Sequence, residues 1–171
     1  MAILEIIKVP NPILRKVTEK VKDYNSELEK LIKDMAETMY FAPGIGLSAN
    51  QVGVSKQLAI VDVSKPKEEK NLLVLINPEI IEKEGLDEME EGCLSLPEFK
   101  QMVPRSAKVR VRARNLKGEE FELIAEGLLA RAIQHELDHL NAKLILDYAN
   151  PVIKELYLKR RKKQMKNQRV S

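Results

Sequence analysis

Leu28, Leu31, Ile32, Met35 and Met39 recur at helical spacing, and Ser26 with Glu29 fits a capping box, so the pattern predicts a helix over Ser26–Tyr40. Pro43 and Gly44 stop it, and a glycine-punctuated loop runs from Gly44 to Gly53. Gln57–Val63 and Leu72–Asn77 are short Val, Ile and Leu runs, predicted as strands and separated by the charged link SKPKEEK. Val109, Val111 and Ala113 alternate with Arg110, Arg112 and Arg114, as in a half-buried strand. Asn115–Gly118 reads as a hairpin turn, followed by a partner strand over Glu120–Ala125. Leu128, Leu129, Ala132, Ile133, Leu137 and Leu140 form a broad apolar stripe on a helix over Glu126–Leu140, and Pro151 suits the first position of a last helix. Helix, several strands, helix and tail helix predict an α+β fold with mostly antiparallel sheets around a central helix, rather than alternating βαβ units.

The 171 residues suffice for one domain. A 44% hydrophobic and 32% charged composition excludes wholesale disorder, and no apolar run nears the roughly 20 residues that cross a bilayer. The single Cys excludes an internal disulfide. Glu5 and Lys8 interrupt the apolar start, unlike a secretory signal, so a cytoplasmic, membrane-free protein is expected. Charge is uneven: residues 151–171 hold eight basic residues against Glu155, a net of +7, leaving −4 for residues 1–150. We therefore expect a single catalytic domain over 1–148 and a basic C-terminal helix over 149–171, whose charge suits a polyanion or simply a solvated face.

The strongest chemical signal is His135-Glu136-Leu137-Asp138-His139, which holds both histidines of the chain. Four residues apart on a helix, the imidazoles share a face and can reach one metal ion, while Glu136 can act as general base on its water. Such a centre usually needs a third protein ligand. Cys93, in Glu91-Gly92-Cys93-Leu94-Ser95-Leu96-Pro97, reads by itself as a small buried hydrophobe, or as part of a shaped loop that Gly92 brings close to a ligand. A Cys2His2 structural site is excluded, with one Cys. Gly44–Gln51 reads either as a plain turn or as a loop that pairs with an extended ligand while Gln51 donates from its amide.

Taken together and in this order, GIGLSANQ, EGCLSLP and QHELDHL resemble the three signature motifs of peptide deformylase. The resemblance runs from ILEIIKVPNPILRK to LILDY, and Arg105 in Val103-Pro104-Arg105 and the run Glu126–Ala130 also fit it. It implies removal of the formyl group from N-formyl-Met nascent peptides. It implies that Cys93, His135 and His139 bind one divalent metal ion, Fe(II) in the cell, with Zn(II), Ni(II) or Co(II) also compatible with thiolate and imidazole donors. Glu136 is then the catalytic base. The Gln51 amide and the Leu94 backbone N–H stabilise negative charge on the formyl oxygen.

Ile45, Leu129 and Ile133 are candidate walls of an apolar pocket for the methionine side chain, with core packing the alternative. The peptide backbone is expected along Gly44–Leu47, Gly46 included, as an added strand. Arg105 could hold the peptide's carbonyls, a nearby carboxylate, or neither, and Asp138 could orient a neighbour or face water. Three positions depart from the family pattern. Asn141-Ala142 places Ala where many members have Gly; if that position is the left-handed helix stop, Ala is awkward there by about 1 kcal/mol, and Asn141 could take the left-handed position instead. Ser48 replaces a common Ala. Arg131 replaces an apolar residue, which should make the pocket rim more polar. The resemblance to some bacterial relatives implies that the basic tail docks on ribosomal RNA near the nascent-chain exit, with a solvated face the alternative. Two other classes compete: a zinc metalloprotease, which lacks its downstream third ligand here, and a metal-stabilised binding module without catalysis.

Overall fold

The structure, a computed structural model, describes residues 2–170. Helix α1 spans Ser26–Phe41, then strands β1 (Gly46–Ser48), β2 (Leu58–Val61), β3 (Leu73–Glu84), β4 (Asp87–Cys93), β5 (Leu96–Arg105), β6 (Lys108–Arg114) and β7 (Glu120–Glu126) lead to α2 (Gly127–Leu140) and α3 (Pro151–Val170). Five strands form one antiparallel sheet in the order β1-β2-β3-β6-β7, and β4 and β5 pair as a separate hairpin. The α+β expectation holds.

The large sheet is buried on both faces around β2 because its alternate residues serve two helices. Leu58 and Ile60 join Leu28, Ile32, Met35 and Met39 of α1, whereas Val61 joins Ala130, Ile133 and Leu137 of α2. Both groups of residues are shielded from solvent, and each large aliphatic side chain so buried contributes roughly 1.5–3 kcal/mol. A third cluster gathers Val9, Leu14, Leu96, Phe99, Val103, Leu144 and Tyr157. Helix α3 is thus docked rather than free: Tyr157 donates to the Pro97 carbonyl (2.8 Å), and the Arg161 Nε donates to the Val9 carbonyl (2.9 Å).

Three sequence expectations change, and one open alternative is resolved. Asn25, not Ser26, caps α1, its side-chain oxygen accepting from the Leu28 N–H at 3.1 Å. Strand β3 does not end at Asn77 but continues to Glu84. Asn77 and Pro78 form an irregularity inside the strand. There Asn77 adopts φ 51°, and its amide bonds both the N–H and the carbonyl of Val21. The β4–β5 hairpin is an addition, since its charged, poorly alternating residues carry little strand signal. Lastly, the left-handed stop of α2 falls on Ala142 (φ 65°), while Asn141 sits at φ −105°. The Lys143 N–H bonds the Asp138 carbonyl (2.8 Å) and the Ala142 N–H bonds the His139 carbonyl (3.1 Å), the paired bonds of a Schellman end.

Candidate metal centre

Helix α2 presents His135 and His139 from successive turns, with their Nε2 atoms 3.2 Å apart. The β4–β5 hairpin delivers Cys93 from the opposite side, its Sγ 3.2 Å from the His139 Nε2. The three ligand atoms lie within 4.8 Å of one another. Donor atoms converging so closely need a proton or a cation between them, and one thiolate with two imidazoles suits a transition-metal dication rather than Mg or Ca. Burial holds the His139 imidazole below its ordinary pKa, hence neutral and able to ligate. The residues therefore fit the implied metal.

Glu91 orients this set. Its Oε1 accepts from the His135 Nδ1 (2.9 Å) and from Arg105 (2.9 Å), and its Oε2 accepts from the Arg105 Nε (3.0 Å) and from Arg131. With the proton fixed on Nδ1, the lone pair of His135 Nε2 is directed at the site. Burial alone raises the Glu91 pKa, but the hydrogen bonds from His135 and Arg105 and the Arg105 charge prevail and bring it to about 2. Asp138 extends the network, accepting from Arg105 and from the Tyr148 hydroxyl (3.0 Å).

Glu136 is buried, and its Oε1 has no hydrogen-bond partner among the described residues. Burial pushes its carboxyl up to about 7, and a neighbouring cation works in the opposite direction. Gly46 makes room for it: a Cβ at position 46 would lie 2.5 Å from the Glu136 Oε2. Gln51 points its Nε2 toward the Ser95 Oγ (3.0 Å) and the Cys93 Sγ (3.6 Å). An amide donor, a proton acceptor and three ligand atoms so gathered can polarise and attack a carbonyl.

A cavity of about 440 Å³ opens onto these groups. Ile45, Gly46, Gln51, Cys93, Leu94, His135 and Glu136 line it. Leu129, Ile133 and Arg105 do not. Leu129 and Ile133 pack into the core between α2 and the sheet, and the helix instead turns Leu128 and Ala132 to the cavity. Arg105 is buried in its bonds to Glu91 and Asp138, so of its readings the contact with a nearby carboxylate is the one the geometry provides. Arg131 does line the cavity, yet its guanidinium is tied to Glu91 and to the carbonyls of Asp87 and Val103. Sequence reasoning assigned no role to Glu91 or Tyr148. The only available signal for Glu91 was an acid two residues before Cys93.

This geometry has counterparts in known proteins. The sequence model of the family Polypeptide deformylase matches residues 3–155. A peptide deformylase of Syntrophobacter fumaroxidans is 49% identical over 166 residues, covering 97% of this chain and 98% of that protein. Among solved structures, a peptide deformylase from Legionella pneumophila superposes with a TM-score of 0.87 at 41% identity, covering 98% of each chain. One from Ehrlichia chaffeensis, in complex with actinonin, does so with a TM-score of 0.90 at 33% identity over 96% of this chain and 98% of that one. Convergent ligand atoms, a buried acid beside them and likeness over almost the full length lead to one assignment: the chain belongs to the peptide deformylase family.

Proposed function

We propose that Cys93, His135 and His139 hold one divalent metal ion, Fe(II) in the cell, and that Glu136, Gln51 and Leu94 carry the reaction around it. The activity is that of the family: hydrolysis of the formyl amide at the N-terminal formyl-methionine of nascent polypeptides, releasing formate. The cation supplies Lewis acidity and acidifies a water molecule. Glu136 takes a proton from the attacking water and returns it to the departing amine nitrogen. The Gln51 Nε2 and the Leu94 N–H donate to the formyl oxygen as it gains negative charge, each such donor being worth about 10²–10³ in kcat. Ile45, Leu128 and Ala132 supply apolar wall for the methionine side chain, and the Gly44–Leu47 edge with Gly46 takes the peptide backbone.

The convergence of the three ligand atoms beside buried Glu136 carries this reading. It is tested by anaerobic purification, metal analysis and a formate-release assay. Formyl-Met peptide should be turned over at one metal per chain, and an unblocked peptide should not. Cleavage of the unblocked peptide would favour a metalloprotease instead.

Residues 1–148 form the catalytic unit in this proposal, and 149–171 form a basic docking helix. Lys159, Arg160, Lys162, Lys163 and Lys166 face outward on α3, which supports contact with ribosomal RNA. No described helix is long and apolar enough to cross a membrane, in keeping with action in the cytoplasm. Reversing the charges of Lys162, Lys163 and Lys166 should weaken ribosome binding and flatten its salt dependence. Unchanged affinity would remove the ribosome proposal.

A further inference from the structure

The end of β1 and the short turn Ala49–Val52 that follows it directly carry two polar side chains, Ser48 and Asn50, for which the reaction above has no use. Ser48 and Asn50 are both inaccessible to solvent, as are neighbouring Gln51 and His139. Asn50 donates from Nδ2 to the His139 backbone carbonyl at 2.7 Å. That carbonyl lies in the last turn of α2 and also accepts from the Ala142 N–H at 3.1 Å, so Asn50 is its second donor. A carbonyl only accepts, so the nitrogen of the Asn50 amide must face it and the Oδ1 must face away. Oδ1 meets the Ser48 Oγ at 2.7 Å.

The same hydroxyl lies 3.0 Å from the Gln51 Oε1, which also accepts from the Ser48 N–H at 3.0 Å. One hydroxyl proton is thus shared between two amide oxygens. The effect on Gln51 is directional. With Oε1 held by Ser48, Nε2 is the end that projects toward Cys93 and Ser95. The hydrogen-bond chain runs from the Gln51 amide through Ser48 and Asn50 to the backbone of His139, and so spans two separate parts of the site.

We propose that Ser48 and Asn50 are positioning residues, a buried bridge that fixes the orientation of the Gln51 amide and ties it to the His139 turn of α2. The inference rests on the assignment of Gln51 as oxyanion donor and His139 as ligand. A misdirected amide loses its interaction with the developing oxyanion but leaves the binding of the methionine side chain and peptide backbone intact. The bridge should therefore act on kcat more than on KM.

The experiment compares the full-length holoenzyme with Ser48→Ala, Asn50→Ala, the double variant and Ser48→Thr. Formate release from a formyl-Met peptide, release of the bound metal to a chelator, and Tm are measured for each. Alanine at 48 demands no new space, so Ser48→Ala folds. Asn50→Ala should lower kcat about 3- to 30-fold with KM within about 2-fold, and Ser48→Ala should lower it less, because the Ser48 backbone N–H still holds the Gln51 Oε1. The double variant should be no worse than about the poorer single one, because the bridge works as one unit. Ser48→Thr, which keeps the hydroxyl, should recover most of kcat. Asn50→Ala should also speed metal release. A lower Tm with kcat and metal release unchanged would make the pair merely structural and overturn the proposal, as would losses that multiply independently. Failure of the wild-type chain to release formate would instead overturn the functional assignment on which the bridge depends.

Discussion

Replacing Glu91 by Gln keeps the side chain's shape but removes the charge on which the site is centred. Four donors converge on its two oxygens: the His135 Nδ1, two nitrogens of Arg105 and one of Arg131. Gln offers one acceptor oxygen, and its own NH2 group then faces donors. Arg105 and Arg131, each about 95% buried, lose their shared counter-ion, although Arg105 keeps Asp138 and Arg131 keeps a longer contact with Asp87 (3.5 Å). Breaking a buried pair in this way costs about 3–5 kcal/mol. At about 2–4 °C per kcal/mol for a chain of this size, Tm should fall by about 6–20 °C. The His135 tautomer also loses its anchor, so metal affinity should fall about 10- to 100-fold. Thermal unfolding and chelator competition on the same preparations measure both. A Tm within about 2 °C of wild type together with unchanged metal affinity would refute the claim that Glu91 organises the centre.

Ala142→Gly should stabilise the chain by about 1 kcal/mol, because Ala142 occupies the left-handed conformation that glycine adopts without a Cβ clash; no rise in melting temperature would tell against that strain. Gly46→Ala should lower kcat by about 10² or more while metal content stays at one per chain, since the added Cβ meets the Glu136 carboxylate; unaltered kcat would show that the carboxylate position is not critical. Asp62 is buried, which by itself raises its pKa, but bonds from Ser64, Tyr40 and Asn71 lower it from 3.8 to about 2. Its contribution to stability is therefore present above pH 4 and is lost as pH falls toward 2, so wild type and Asp62→Asn should differ in stability at pH 6 and converge near pH 2. A difference that grows on acidification would contradict this sign.

Those elements whose chemistry is written at short range were legible in the sequence. The His135–His139 spacing fixes a shared helix face whatever surrounds it, and the Arg110-Arg112-Arg114 alternation fixes a strand with one face outward. Cys93 needed the resemblance, because nothing local says that a hairpin will carry it to α2. Leu129 and Ile133 went to the core while Leu128 and Ala132 met the cavity, since the seating of α2 on the sheet decides which edge of a broad apolar stripe is exposed. The Glu91 network joins positions 14, 40 and 44 residues apart, and no periodicity reports such a meeting. At Asn77 and Asn25 the local signals pointed elsewhere, and side-chain bonds to the backbone determined the outcome.

In the proposed reaction three ligands hold a cation and Glu136 moves the proton. It is tested most directly by measuring bound metal and formate release side by side for the wild-type chain and Glu136→Gln, both purified without oxygen. One metal per chain is expected in both proteins, with turnover of formyl-Met peptide in the wild type alone. Turnover by Glu136→Gln at a rate near that of the wild type would contradict it.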